Sequence, residues 1–346
     1  MIISSGIYAN SIGLSCEDNI FNLKILTGVG EEMSEVKYFK TIKEIPREDK
    51  FARGHRLCAG CGAAIAMKLA MKAVRGPTVV VNATGCVEVA TTCYPYSAWA
   101  VPYVHVAFEN AAAVASGVIE ANRILNKKRG WKPYDVIAIG GDGGTFDIGL
   151  QALSGALERG HNLLYICYDN EAYMNTGIQR SGATPLGAAT TTSPAGTVIP
   201  GKPQRKKDLI GIAVAHRIPY AATASIAYPI DYMNKIRKAL EIEGPKVIHV
   251  LTPCVPGWRY SPSDTIKLAR LAVETRYFPV YEVENGRVKI TIKVDRPKPV
   301  EEFLKLQRRF AHLLKPENAH VLEALKKSLE ENWERLVKLE ESGVII

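Results

Sequence analysis

The sequence predicts an α/β fold with a doubly wound, mostly parallel sheet, and three observations carry that expectation. From about residue 56, short runs that are apolar throughout alternate with longer stretches of helical periodicity. Such runs do not alternate apolar with polar, so helices are expected on both faces of the sheet. One run passes directly into a glycine-rich turn, as strands do at the carboxyl edge of an open sheet. A chain of 346 residues, 47% of them hydrophobic, is also long enough to bury one large core or two medium ones.

The elements follow in order. Residues 1–44 read as an N-terminal extension. The first 32 show little periodicity, and Met33 opens the more ordinary MSEVKYFKTIKEIP, so the native chain is expected to start at Met33. Strands are expected at 78–82, 136–139, 163–168, 220–224 and 247–251, and helices near 61–74, 108–127, 147–159, 206–217 and 230–242. Near residue 280 the pattern changes to two β-rich runs about Asn285-Gly286, an antiparallel hairpin. Charged helical sequence continues from Val300 to about Ser342. The expected domains are therefore a core over 45–295 and a C-terminal helical arm over 296–346 that packs on a partner.

Composition narrows the function classes. No apolar stretch is long enough to cross a bilayer and no signal-peptide order opens the chain, so a cytoplasmic protein without membrane attachment is expected. The net charge of +9 is spread along the chain, with one short run at Arg205-Lys206-Lys207 and no interleaved aromatics. That distribution disfavours nucleic acid and leaves an acidic protein or an anionic cofactor as the partner. Seven cysteines are too few and odd in number for a disulfide framework, which favours metal ligands, reactive thiols and core fillers.

Two carboxyl-edge turns point at one phosphate ligand. In the run Val136-Ile-Ala-Ile-Gly-Gly-Asp-Gly-Gly-Thr-Phe, glycines let backbone amides approach phosphate oxygens, and Asp142 offers a hard oxygen to Mg²⁺. A nicotinamide-binding turn fits less well, because the third glycine is missing and a bare carboxylate repels a pyrophosphate. The bland alternative is a tight turn. Against it stands the next strand end, Tyr168-Asp-Asn-Glu-Ala-Tyr-Met-Asn-Thr-Gly, where Asn170 and a nearby carbonyl can complete an octahedral Mg²⁺.

The cysteines form a second pattern. Cys58-Ala-Gly-Cys61 opens an amphipathic helix, which suits a redox couple, half a zinc site or a cluster clamp. A four-thiolate zinc ribbon needs a second Cys-x-x-Cys, and the sequence has none. Cys86 and Cys254 each follow an apolar run at the same sheet edge, and four thiolates from separate loops suit a [4Fe-4S] cubane, with zinc as the alternative. Cys16, Cys93 and Cys167 are left over; Cys167 reads as a core filler.

Taken together, Cys58-Ala-Gly-Cys61, Asn82-Ala-Thr-Gly-Cys86, Gly141-Asp-Gly143 with Asp147-Ile-Gly, Asp169 to Gln179 and Thr252-Pro-Cys254 resemble the β subunit of 2-oxoacid:ferredoxin oxidoreductases of the pyruvate or branched-chain type. The motifs stand in the family's order over roughly residues 45–310. The resemblance implies a thiamine diphosphate-binding α/β domain that takes part in oxidative decarboxylation of a 2-oxoacid or the reverse synthesis, with pyruvate first, branched-chain oxoacids or oxalate as alternatives, and a non-catalytic metal-binding scaffold as the more distant one. Electrons leave singly through a [4Fe-4S] cluster to ferredoxin, and coenzyme A accepts the acyl group.

It further implies cluster ligands at Cys58, Cys61, Cys86 and Cys254, and Mg²⁺ ligands at Asp142, Asn170 and the carbonyl of Ala172. Gly141, Gly143 and Gly144 would line the diphosphate, with Glu171, Tyr173, Met174 and Cys86 beside the cofactor and Asn175 reaching the substrate. Ala63 departs from relatives that carry a glutamate there. His55 and Arg56 would face a carboxylate, a partner or solvent. The chain lacks a second thiamine-type domain and a ferredoxin-like cysteine run, so partner α, γ and δ subunits are implied.

Overall fold

The computed structural model describes residues 38–343, so the extension at 1–32, the start at Met33 and Cys16 lie outside the described residues. One eight-stranded sheet organises them. Its strands are β1 (Thr78–Ala83), β2 (Tyr103–Val106), β3 (Asp135–Gly141), β4 (Leu164–Asp169), β5 (Tyr220–Ser225), β6 (Lys246–Leu251), β7 (Tyr281–Glu284) and β8 (Arg287–Ile290). They stand in the order β2-β1-β3-β4-β6-β5-β7-β8. The first six are parallel, and the hairpin β7–β8 closes the edge antiparallel to β5. Its turn is Asn285-Gly286, both left-handed at φ 48° and 78°, as a two-residue hairpin of this twist requires.

β1, β4, β5 and β6 are buried along their whole length, which is why their sequences run apolar without alternation. On one face, Val80, Ile137, Ile166 and Ile248 pack against helices α1 (Gly62–Ala73) and α6 (Pro229–Glu241). On the other, Val81, Ala138, Tyr165 and Val247 pack against α3 (Ala111–Arg129), α4 (Leu150–Glu158) and α5 (Leu209–Val214).

Several elements differ from the sequence reading. β2 escaped it because YVHV is short and only half-buried at the sheet edge. Helices α2 (Cys86–Thr91), α7 (Val255–Trp258) and α8 (Thr265–Glu274) escaped it too, although Leu268, Leu271 and Ala272 make a buried stripe on α8. The helix expected over 206–217 is only α5; Lys206 and Lys207 precede it in extended chain. The glycine turn after β3 does not open directly into a helix: Gly143–Asp147 forms a π-helical turn ahead of α4.

The C-terminal stretch is not a free arm. It breaks into α9 (Val300–Lys305), a 3₁₀ segment (Arg308–Leu314), a second one (Pro316–Asn318) and α10 (Ala319–Ser342). Phe303, Phe310 and Leu313 are fully buried with Trp258 and Leu268, and Trp333 and Leu336 cover β7 and β8. Arg309 and Gln307 are carried into the interior with them. No helix of the described residues is long and apolar enough to cross a membrane.

Candidate active site

The strand order reverses between β1 and β3, and an open sheet leaves a crevice for ligand there, outside the carboxyl ends. Two of the predicted motifs stand at this place. β1 runs out into Thr84-Gly85-Cys86, and β3 into Gly141-Asp142-Gly143-Gly144. The adjacent β4 ends in Asp169-Asn170, so the second oxygen cluster is its neighbour.

The turn after β3 is held tightly. Thr145 Oγ1 donates to the Gly141 carbonyl at 2.7 Å and meets Tyr165 Oη at 3.0 Å. A Cβ at Gly143 would overlap the Tyr173 ring, and one at Gly144 would press on the Phe108 carbonyl at 3.1 Å. Both positions need glycine because other groups already fill the space. Tyr173 in turn donates its hydroxyl to Asp147 at 3.1 Å, and Asp147 also receives the Gly182 amide and the Lys207 ammonium, each at 2.7 Å.

Asp142, buried at 1% exposure, accepts the Ser181 hydroxyl on Oδ2 at 2.5 Å. Its other oxygen faces Asn170. In one amide orientation the Asn170 side-chain oxygen lies 2.9 Å from both Asp142 Oδ1 and the Ala172 carbonyl; turned over, its NH₂ donates to both. Neighbouring oxygens of an octahedral Mg²⁺, each about 2.0–2.1 Å from the ion, stand about 2.8–3.0 Å apart. The three residues thus fit the corner of such a shell. Burial and the negative charge of Asp169 hold the Asp142 carboxyl well above the usual carboxylate range, a penalty that a divalent cation reverses.

Below this corner lies a buried ionic network that sequence reasoning missed. Burial alone would raise Asp169, yet the Lys206 ammonium and His249 bring it down to about 2. His249 Nε2 stands 2.6 Å from its Oδ2, and Lys206 pairs with the same oxygen. Glu171 accepts Lys206 at 2.9 Å, Arg309 Nη2 at 2.6 Å and the Tyr277 hydroxyl at 3.0 and 3.1 Å. Its carboxylate, fully buried, is therefore directed into the network. The one sequence signal was His249, a polar residue inside the apolar run VIHVL; Lys206 was hidden in a run that reads as surface, and Arg309 in a charged helical stretch.

After Ala172 the chain forms a short hairpin in which the Tyr173 amide donates to the Gln179 carbonyl at 2.9 Å. Ile178 is left-handed at φ 66°, a strained state for a β-branched residue. Asn175 is exposed at the tip. Met174 packs toward the Cys254 loop, where a Cβ on Gly257 would overlap its sulfur.

The four thiols come from three loops that lock together. Cys58–Cys61 is a turn with Gly60 at φ 73°, where a Cβ would stand 2.6 Å from the Pro262 carbonyl. Gly62 donates to the Pro253 carbonyl at 3.1 Å, and Thr265 Oγ1 to the Gly60 carbonyl at 2.6 Å, joining this turn to the Cys254 loop. The Arg56 amide donates to the Ala90 carbonyl at 2.8 Å, joining it to the helix that starts at Cys86. Burial, with the charges of Cys86, Cys61 and Cys58, pushes the Cys254 thiol up to about 12. Cys86 is pushed up to about 12 by burial, by Cys61 and Cys58, and by Asp142.

These thiols therefore share one neighbourhood that reaches the Asp142 corner. Among the described residues, no three His, Cys, Asp or Glu side chains gather into a group for a single metal ion. Cys93 donates its thiol to the Val89 carbonyl at 3.2 Å, and Cys167 is buried within β4. His55 stacks on Phe51 at 5.2 Å, Arg56 is exposed, and Ala63 is buried in α1.

A parallel sheet with a glycine-cradled carboxylate at its reversal point, facing an asparagine on the next strand, defines a thiamine diphosphate-binding domain. Residues 83–250 match the thiamine pyrophosphate enzyme family in its C-terminal TPP binding domain. The pyruvate synthase subunit PorB of Methanocaldococcus jannaschii is 60% identical over 275 residues, covering 79% of this chain and 92% of that protein. The ketoisovalerate oxidoreductase subunit VorB of Pyrococcus abyssi is 49% identical over 300 residues, covering 86% and 95%. A 2-oxoglutarate:ferredoxin oxidoreductase from Magnetococcus marinus shares the fold, with TM-score 0.51 and 20% identity over 83% of this chain and 98% of that one. The chain belongs to the β-subunit family of the 2-oxoacid:ferredoxin oxidoreductases.

Proposed function

We propose that this β subunit serves a pyruvate:ferredoxin oxidoreductase, working in the cytoplasm with α, γ and δ partner chains, coenzyme A and ferredoxin. The observation that carries the site reading is the meeting of Asp142 Oδ1 and the Ala172 carbonyl at one end of the Asn170 side chain, each 2.9 Å from it. These residues would hold Mg²⁺, with Gly141, Gly143 and Gly144 against the diphosphate and Tyr173 and Met174 lining the approach. Bound there, thiamine diphosphate supplies the carbanion chemistry that decarboxylates a 2-oxoacid. Asn175, exposed at the hairpin tip, would meet the substrate. Glu171 supports the site from beneath.

Cys58, Cys61, Cys86 and Cys254 would hold a [4Fe-4S] cluster, which supplies a one-electron acceptor beside the cofactor. Their support is the common neighbourhood of four thiols whose protons bound metal must displace. A cubane, with one thiolate on each iron, also spreads its ligands wider than a single zinc ion does. Anaerobically purified wild-type complex is expected to exceed a Cys58→Ser complex by about four iron and four sulfide per β chain. About one zinc without sulfide would remove the cluster from this reading.

The substrate assignment rests on the 60% identity to the PorB relative. The VorB relative, at 49% identity, supports branched-chain 2-oxoacids as the second reading. Initial rates of ferredoxin reduction by the complex with pyruvate, 2-oxoisovalerate and 2-oxoglutarate separate them. Pyruvate is expected to give the highest kcat/KM, and a preference for 2-oxoisovalerate would transfer the assignment.

A further inference from the structure

We propose that Arg309, brought in by the C-terminal segment, is a positioning residue for the cofactor's Mg²⁺, acting through Glu171 and Trp258. The proposal rests on the reading of Asp142, Asn170 and Ala172 as the metal corner. Glu171 lies between two of those ligands and is left-handed at φ 69°. A residue with a side chain persists in that conformation only when its surroundings over-determine it. Here they do. Its amide donates to Asp169 Oδ1 at 2.8 Å, its carbonyl accepts Thr184 Oγ1 at 2.7 Å, and its carboxylate is anchored by Arg309, Lys206 and Tyr277. The left-handed turn is what directs the Asn170 side chain and the Ala172 carbonyl to the same side as Asp142.

Arg309 holds both flanks of this turn. One flank is the Glu171 carboxylate, 2.6 Å away. The other is reached through Trp258: the guanidinium carbon lies 3.8 Å from the centre of its ring, and the indole N–H donates to the Asn170 carbonyl at 2.8 Å. Arg309 is itself fixed, with Nε donating to Gln307 Oε1 at 2.7 Å and only 5% of the residue exposed. A planar, forked cation stacked on an aromatic ring is a role that lysine fills poorly. Groups that orient metal ligands commonly set metal affinity although they never touch the ion.

A plain structural counter-ion would affect stability and leave metal affinity unchanged, so the test measures both. Complexes carrying Arg309→Met, Arg309→Lys or Asp142→Ala are purified assembled and stripped of cofactor. Thiamine diphosphate is then titrated calorimetrically at a series of Mg²⁺ concentrations, with the melting temperature of each stripped complex in parallel. Arg309→Met is expected to raise the Mg²⁺ concentration for half-maximal binding by about tenfold or more. Arg309→Lys is expected to show a smaller rise. An Arg309→Met complex with the wild-type Mg²⁺ requirement overturns the proposal, whatever its melting temperature. If that variant does not assemble, the lysine variant is judged by the same criterion. Asp142→Ala tests the underlying reading separately: wild-type Mg²⁺-dependent binding in that variant would remove the metal corner itself.

Discussion

Asp142→Asn is expected to lower thiamine diphosphate affinity and turnover each by at least about 100-fold, while the cofactor-free protein melts no lower than wild type. The two halves have one physical origin. Residues that only orient metal ligands cost about 10–100-fold when altered, so a ligand oxygen lost directly belongs at or beyond the upper end. Without metal, however, the Asp142 carboxylate is a buried charge facing Asp169, and burial and that neighbour both disfavour it. Replacing such a charge by a neutral amide of the same shape relieves that cost, and the amide oxygen can still accept the Ser181 hydroxyl. Calorimetric cofactor titration and melting of the stripped protein check the pair. A variant that melts lower and binds as tightly would place Asp142 in the structure and outside the metal site.

Lys206→Met is expected to destabilise the chain by about 3 kcal/mol, the lower end of the cost of removing one partner of a buried ion pair. Asp169 and Glu171 both lose this ammonium, while Asp169 keeps His249 and Glu171 keeps Arg309 and Tyr277. The neighbouring Lys207→Met is the control. Lys207 pairs with Asp147 at 2.7 Å, but its side chain is 44% exposed, and an exposed pair contributes less than about 1 kcal/mol. Urea unfolding of the two variants gives the comparison. Equal losses would mean that Lys206 is as well solvated as its neighbour and that the network is not what ties the two strand ends together.

The same two lysines show where sequence reading succeeds and where it stops. The wholly apolar runs gave β1, β3, β4, β5 and β6 to within two residues at each end, because burial on both faces leaves little choice of side chain. The hairpin at Asn285-Gly286 was legible for an equally local reason, since two left-handed residues in a row select that pair. The glycine turn, Asp142, Asn170 and the Cys-x-x-Cys pair were legible because their chemistry is concentrated within a few positions. Lys206, half-buried, and Arg309, buried, were not, because a cation turned inward is declared by its partners. Glu171, the partner they share, lies 35 residues from Lys206 and 138 from Arg309 along the chain. Charged residues in a helical stretch ordinarily face water, and only the path of the chain turns these two inward.

That path also sets a timetable. A ribosome delivers the chain from its N-terminus, and domains generally fold as their residues emerge. β1, β3 and β4 are all available by residue 169, yet the Cys58–Cys61 turn waits for Thr265 to secure the Gly60 carbonyl, and Glu171 waits for Arg309. A nascent chain paused before residue 309 therefore exposes a finished sheet and an unfinished pocket. A chain ended short of Arg309 would lack the cation that anchors the Glu171 carboxylate, and with it one of the supports of the pocket.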